Sequence, residues 1–167
     1  RGLGDVYKRQ EYNNFDQLEK LIREKNIGVI KMEVSRNIKP RDQFLQKVRK
    51  ITQSKGIVLI FDECTSGFRQ CFGGLHKSIN INPDMAIFGK ALGNGYAITS
   101  ILGKDSVMDS AQKSFISSTF WTERIGPTAA LKTIEVMEKI KSWDKISEKG
   151  KKFKKTLKKL SKKYSLD

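Results

Sequence analysis

The chain has 167 residues, 38% of them hydrophobic, and a net charge of +15. That composition supports one packed domain or part of a larger one and excludes general disorder. No apolar run reaches the roughly 20 residues that a membrane span requires, and the first residues do not read as an apolar signal core. The charge would suggest nucleic acid were it evenly spread, but between Lys139 and Lys163 stand 12 lysines against Asp144 and Glu148. Within that segment Trp143, Ile146, Phe153, Leu157, Leu160 and Tyr164 recur at three- and four-residue steps. This predicts an amphipathic helix with a solvated lysine face rather than a nucleic-acid or membrane surface. Cys64 and Cys71 form neither a disulfide nor a metal pattern, so free thiols in a reducing cytosol, and hence a cytoplasmic protein, are expected.

In chain order, residues 1–10 match no element of the regular pattern that begins at Asn14. They read as a non-native, adaptor-derived segment and are set aside from the fold. Asn14 caps a helix over Phe15–Lys25 that places Leu18, Leu21 and Ile22 on one face. Val29–Met32 is a short strand delivering Glu33. A second helix over Arg41–Ser54 carries Phe44, Leu45, Val48 and Ile51, and Ile57–Phe61 is the strand that ends at Asp62. Met85–Phe88 and Ile98–Leu102 follow as strands, Asp105–Ala111 as a short helix and Phe115–Ser118 as a further strand. Pro127 opens a long helix to Lys141. Strands alternating with helices imply an α/β fold with a mainly parallel sheet and right-handed crossovers.

The informative pair is Asp62 and Lys90, 28 residues apart, each just beyond a short apolar run. Buried parallel strands present side chains in this way at their C-terminal ends. The flanks Ile87-Phe88-Gly89 and Ala91-Leu92-Gly93 should partly bury the Lys90 amine and favour its neutral, nucleophilic form. The glycines would let the backbone approach a flat ligand. A carboxylate and an amine so placed suit pyridoxal phosphate, with the lysine forming the Schiff base and the acid keeping the pyridinium nitrogen protonated. Gly93-Asn94-Gly95 is also explained by a plain turn. Asp62 could equally be a cap or an ion-pair partner. His76 is the sole histidine, so neither a catalytic triad nor a histidine-ligated metal site has support. Trp121 and Trp143 read as packing residues.

The stretches Val29-Ile-Lys-Met-Glu33, Leu59-Ile-Phe-Asp-Glu-Cys-Thr-Ser-Gly-Phe-Arg69, Pro83 through Gly95 and Ser118-Thr-Phe-Trp121 resemble the class III pyridoxal-phosphate-dependent aminotransferases of fold type I. Glutamate-1-semialdehyde 2,1-aminomutase-like proteins are the closest flavour. The resemblance covers Tyr12 to Asp167 and implies residues 11–141 as the C-terminal part of the cofactor-binding large domain. Residues 142–167 would open the small domain. It implies Lys90 as the Schiff-base lysine and acid/base, Asp62 as the ring-nitrogen partner, and Cys64 where the family usually packs a valine on the ring. Glu33 would contact or gate substrate; here Val34 comes next, where the family commonly has proline. Thr119 fits the family's wording for the phosphate-binding threonine and Thr122 its spacing. Arg69 and Gly73-Gly74 match a structural turn.

The resemblance further implies transfer of an amino group between a small amino donor and a carbonyl acceptor, or an intramolecular aminomutase reaction (an isomerase). It also implies a cytoplasmic homodimer with no nucleic-acid or membrane partner. An inactive family member or a basic binding module are the non-enzyme alternatives. Because the family's phosphate loop and most of its small domain match nothing in the sequence, the 167-residue chain alone is expected to fold poorly and to be inactive.

Overall fold

The computed structural model describes residues 7–35, 37–117, 119, 120 and 122–166. Helix α1 (Phe15–Glu24) begins where expected, because the Asn14 side chain accepts the Gln17 N–H at 3.0 Å and satisfies a first-turn donor. Strand β1 (Val29–Glu33) then leads to helix α2 (Phe44–Lys55). The expected start of α2 at Arg41 is corrected to Phe44. Asp42 and Gln43 adopt left-handed φ values of 49° and 55°, and Phe44 N–H closes a turn on the Arg41 carbonyl at 2.8 Å. The helix begins only at the pair that can be buried, Phe44 and Leu45.

Strand β2 (Val58–Asp62) runs parallel to β1, with Glu33 opposite Asp62. A 22-residue excursion with one 3₁₀ turn at Leu75–Ile79 leads to β3 (Met85–Phe88), parallel to β2 with Ile87 opposite Asp62. Strand β4 (Ser100–Gly103) completes the four-stranded order β1-β2-β3-β4, and it is antiparallel to β3. The reason is the connection: a 3₁₀ turn at Lys90–Leu92 and a short loop supply no helix long enough to carry the chain back for a parallel return. Two of three pairings are thus parallel, as the mainly parallel reading required.

The sheet carries α3 (Asp105–Gln112), α4 (Ile125–Ile140) and α5 (Ser142–Lys163) after β4. The expected strand over Phe115–Ser118 is not found. Residues 115–117 have no regular structure, Phe115 is 96% exposed, and Ser118 lies outside the described residues. An isolated apolar run without a neighbouring strand has nowhere to place its backbone hydrogen bonds.

Strand alternation divides the sheet into two faces. Leu59 and Phe61, both fully buried, join Leu18, Phe44, Leu45, Val48, Val34 and Ile81 in one core beneath α1 and α2. Ala86 and Phe88, on the same sheet face, pack instead with Phe68, Leu92 and Ala130 of α4. Val29, Ile60, Asp62, Ile87 and Ile101 occupy the opposite face, where Val29 is 54% and Ile101 52% exposed. A bidentate ion pair ties the layers. Arg49 on α2 donates to both Asp84 oxygens at 2.7 and 2.9 Å, while Leu59 N–H and Lys104 reach the same carboxylate at 2.9 and 2.8 Å.

Candidate active site

Asp62 and Lys90 come from neighbouring strand ends. Asp62 is the last residue of β2, Ile87 of β3 lies directly beside it, and Lys90 is three residues further on. The register therefore places both side chains at one end of the sheet, as the sequence spacing suggested. Cys64 lies between them. Burial and the Asp62 carboxylate push its thiol up, whereas the Lys90 and Lys31 ammonium groups pull it down, so all three charged groups are felt at the one thiol. A Cβ built at Gly89, just before Lys90, would meet Cys64 Sγ at 3.3 Å.

Both Asp62 oxygens have partners. Lys31 Nζ donates to Oδ2 at 2.8 Å, and the Cys64 N–H donates to Oδ1 at 3.2 Å. Burial raises the Asp62 carboxyl, but these donors outweigh it and hold the group below its ordinary range, ionised at neutral pH. Lys90 is placed by backbone geometry. Its φ of 47° lies in the left-handed region, a conformation that costs a residue with a Cβ on the order of 1 kcal/mol. The Gly93 and Asn94 N–H groups donate to its carbonyl at 3.2 and 3.0 Å and keep the turn closed. Its amine donates to Thr65 Oγ1 at 2.7 Å.

One sequence expectation changes here. The partial burial foreseen for Lys90 is not present; the residue is exposed, because its apolar neighbours Phe88 and Leu92 turn to the other side of the sheet. The glycines also serve a nearer purpose than a ligand. A Cβ at Gly93 would come within 2.3 Å of the Tyr96 carbonyl, so the loop folds tightly on itself.

Glu33 ends β1 directly opposite Asp62 and is half-buried. Val34, standing where proline was expected, is 1% exposed, and its carbonyl accepts the Tyr12 hydroxyl at 2.6 Å. That bond fixes the turn without proline. Burial, reinforced by the Glu33 charge, pushes the Tyr12 hydroxyl up to about 12. Thr119 and Thr122 are both exposed in the segment before α4. Trp121 lies outside the described residues, whereas Trp143 packs on Phe72 with ring centroids 5.4 Å apart.

One feature of the site went unread in the sequence. Glu63, next to Asp62, points the opposite way and is fully buried. His76 reaches its Oε1 from the backbone N–H at 2.9 Å and from Nδ1 at 2.8 Å, and Ser66 Oγ donates to Oε2. Burial raises this carboxyl, yet the donors prevail and hold it low. Glu63 N–H in turn donates to the Ile87 carbonyl at 2.8 Å, and its carbonyl accepts the Gly67 N–H at 2.7 Å. The network holds the end of β2 against β3, and with it the offset between Asp62 and Lys90. The period-two alternation through Leu59 and Phe61 was the available signal, since it puts Glu63 on the core side.

The chain matches the family Aminotransferase class-III over residues 15–166. Among curated relatives, the 3-aminobutyryl-CoA aminotransferase of Cloacimonas acidaminovorans is 44% identical over 115 residues, 68% of this chain and 28% of that protein. The glutamate-1-semialdehyde 2,1-aminomutase of Nitrosopumilus maritimus is 39% identical over 152 residues, covering 84% of this chain and 36% of its own. The fold is shared with the FumI protein of a Sphingopyxis species, solved in its PLP internal aldimine form. The TM-score is 0.88 at 22% identity, over 95% of this chain and 40% of that one. It is shared too with the ornithine delta-aminotransferase of Plasmodium falciparum, at TM-score 0.84 and 22% identity, over 96% of this chain and 43% of that one. The chain spans about a third of the length of the curated relatives it matches. With the profile match running through both strand ends that carry Asp62 and Lys90, this chain belongs to the class-III aminotransferases.

Proposed function

We propose that the protein carrying this chain is a pyridoxal-phosphate-dependent transaminase that moves an amino group from a small amino donor to a carbonyl acceptor. The observation that carries the reading is the placement of Asp62 and Lys90 on adjacent strand ends with Cys64 between them. The donor set fits the cofactor: an ionised carboxylate for a protonated ring nitrogen, an amine for an aldehyde, and a small side chain between the two for the ring face. The bound cofactor supplies an electron sink for the substrate's α-carbon. Asp62 would hold the proton on the ring nitrogen. Lys90 Nζ would hold the cofactor through its aldehyde and would serve as the acid/base for the proton at the substrate's α-carbon. Cys64 would pack against the ring, Thr119 (or Thr122) would donate its hydroxyl to the phosphate, and Glu33 would border the substrate.

A second reading, intramolecular transfer, is favoured by one observation. Glutamate-1-semialdehyde 2,1-aminomutases recur among the relatives, at 39% and 40% identity over most of this chain. In either case the substrates are small molecules. A homodimeric, cytoplasmic enzyme and the division at residue 141 into large-domain and small-domain parts belong to the same proposal. Among the described residues no helix is long and apolar enough to cross a membrane.

The test is borohydride reduction after incubation with pyridoxal phosphate, followed by peptide mapping. A single pyridoxyl group at Lys90, absent in Lys90→Ala, is expected; scattered labelling of the surface lysines in both proteins would overturn the reading. Screening pairs of amino compounds and oxo acids then separates exchange between two molecules from rearrangement of one.

A further inference from the structure

Lys31 is a basic residue on a strand face that also carries Glu33 and Asp62. It alternates with Val29 and lies beside Ile60, with Met85 one strand further on. A lysine there contributes nothing to a hydrophobic face, and its amine instead reaches along the sheet to Asp62 Oδ2 at 2.8 Å. Lys31 stands one strand away from Asp62 on the side opposite β3, so its ammonium meets the carboxylate from the β1 side. The other charged groups facing it are Glu33, beside it on β1, and the titratable thiol of Cys64.

We propose that Lys31 is a positioning residue that sets how strongly Asp62 holds the proton of the cofactor's ring nitrogen. This rests on the assignment of Asp62 to that nitrogen. A carboxylate has two oxygens and about four acceptor sites, so Lys31 on Oδ2 and the Cys64 N–H on Oδ1 leave lone pairs for a third donor. They do not leave its full charge. An ammonium at hydrogen-bond distance neutralises part of the negative charge that would otherwise stabilise a protonated ring nitrogen. Lys31 therefore orients the carboxylate and at the same time moderates it. The hydrogen bond to Asp62 holds the Lys31 amine above its ordinary value against some cost of burial, with the Glu33 charge a smaller contribution, so the balance at this corner is struck among side chains on β1 and β2.

The test compares pyridoxal phosphate with its 1-deaza analogue, in which a CH replaces the ring nitrogen, in the wild-type protein and in Lys31→Met, Lys31→Arg and Asp62→Asn. Lys31→Met keeps the apolar stem and removes the charge. It is expected to bind pyridoxal phosphate about two- to five-fold more tightly, the range of an exposed ion pair. The deaza analogue should bind unchanged, and the ¹⁵N shift of ring-labelled cofactor should move toward the protonated form. Lys31→Arg should behave as wild type, and in an Asp62→Asn background the gain should vanish. Equal changes for both ligands would mean that Lys31 only braces the strands, and unchanged binding and ¹⁵N shift would mean that it does not act on Asp62; either overturns the inference. If borohydride labels Lys90 in the same samples, the failure stops at Lys31. If Lys90 is not labelled even in wild type, the assignment of the site falls and the inference with it.

Discussion

The half of the molecule built from α1, α2, β1 and β2 and the half built from β4, α4 and α5 bury their hydrophobic residues very differently. In the first, Leu45, Val48, Leu59 and Phe61 are at most 1% exposed. In the second, Leu102 is 58%, Leu131 71% and Phe153 67% exposed, and a cavity of about 630 Å³ lies among Phe68, Phe88, Leu92, Leu102 and Ile134. Each fully buried large side chain is worth about 1.5–3 kcal/mol, so the first half supplies most of the stability of this chain. Asp62 is rooted in that half, while Lys90 sits on the boundary, held to it by β3 and by the Glu63 network. The site is as rigid as its better-packed wall on one side and only as rigid as a short turn on the other.

The largest effect that would sharpen this contrast is a cavity in the first core. Phe61→Ala should cost about 3–5 kcal/mol, whereas Phe153→Ala, at a largely exposed position, should stay within about 0.5 kcal/mol. Urea unfolding followed by circular dichroism measures both, and equal losses would erase the distinction between the halves.

Next in size is the Arg49–Asp84 pair that joins α2 to the beginning of β3. Arg49→Met should destabilise by about 3 kcal/mol, since it leaves a nearly buried carboxylate short of its main partner. The pair also sets an acid limit. The Arg49 guanidinium, with the Leu59 N–H and Lys104 and against some cost of burial, holds the Asp84 carboxyl far below its ordinary 3.8. The folded value is the lower one, so this stabilisation is complete above the unfolded value and drains away as pH falls below it. Stability measured from about pH 6 downward should fall through that window in the wild type and more gently in Arg49→Met. Parallel acid limbs would show that Asp84 is not the group responsible.

The smallest effect concerns the N-terminus of α1. Asn14→Ala removes one side-chain cap and should cost about 1 kcal/mol, with the deficit confined to the first core. Hydrogen exchange would show faster opening of α1 while the amides of α5 stay as they were. A response in α5 would mean that the two halves unfold as one.

Short-range signals in the sequence specified the helices, the first three strands, the Asn14 cap and the two side chains that carry the proposed chemistry. Periodicity and residue type are properties of neighbours along the chain, and the ends of buried strands are marked by abrupt changes in polarity. What depends on partners distant in sequence was not legible. The antiparallel turn of β4 came from the lack of a crossover helix, and the run at Phe115 stayed irregular because no strand lay beside it. The partner that satisfies the buried Glu63 is His76, 13 residues away, and the exposure of Lys90 was decided by the side to which Phe88 and Leu92 turn. The charge beside Asp62 came from Lys31, on another strand. Sequence names the groups, but their electrostatic balance is set by which charges the sheet brings within a few ångströms, since Coulomb energy and desolvation depend on separation in space.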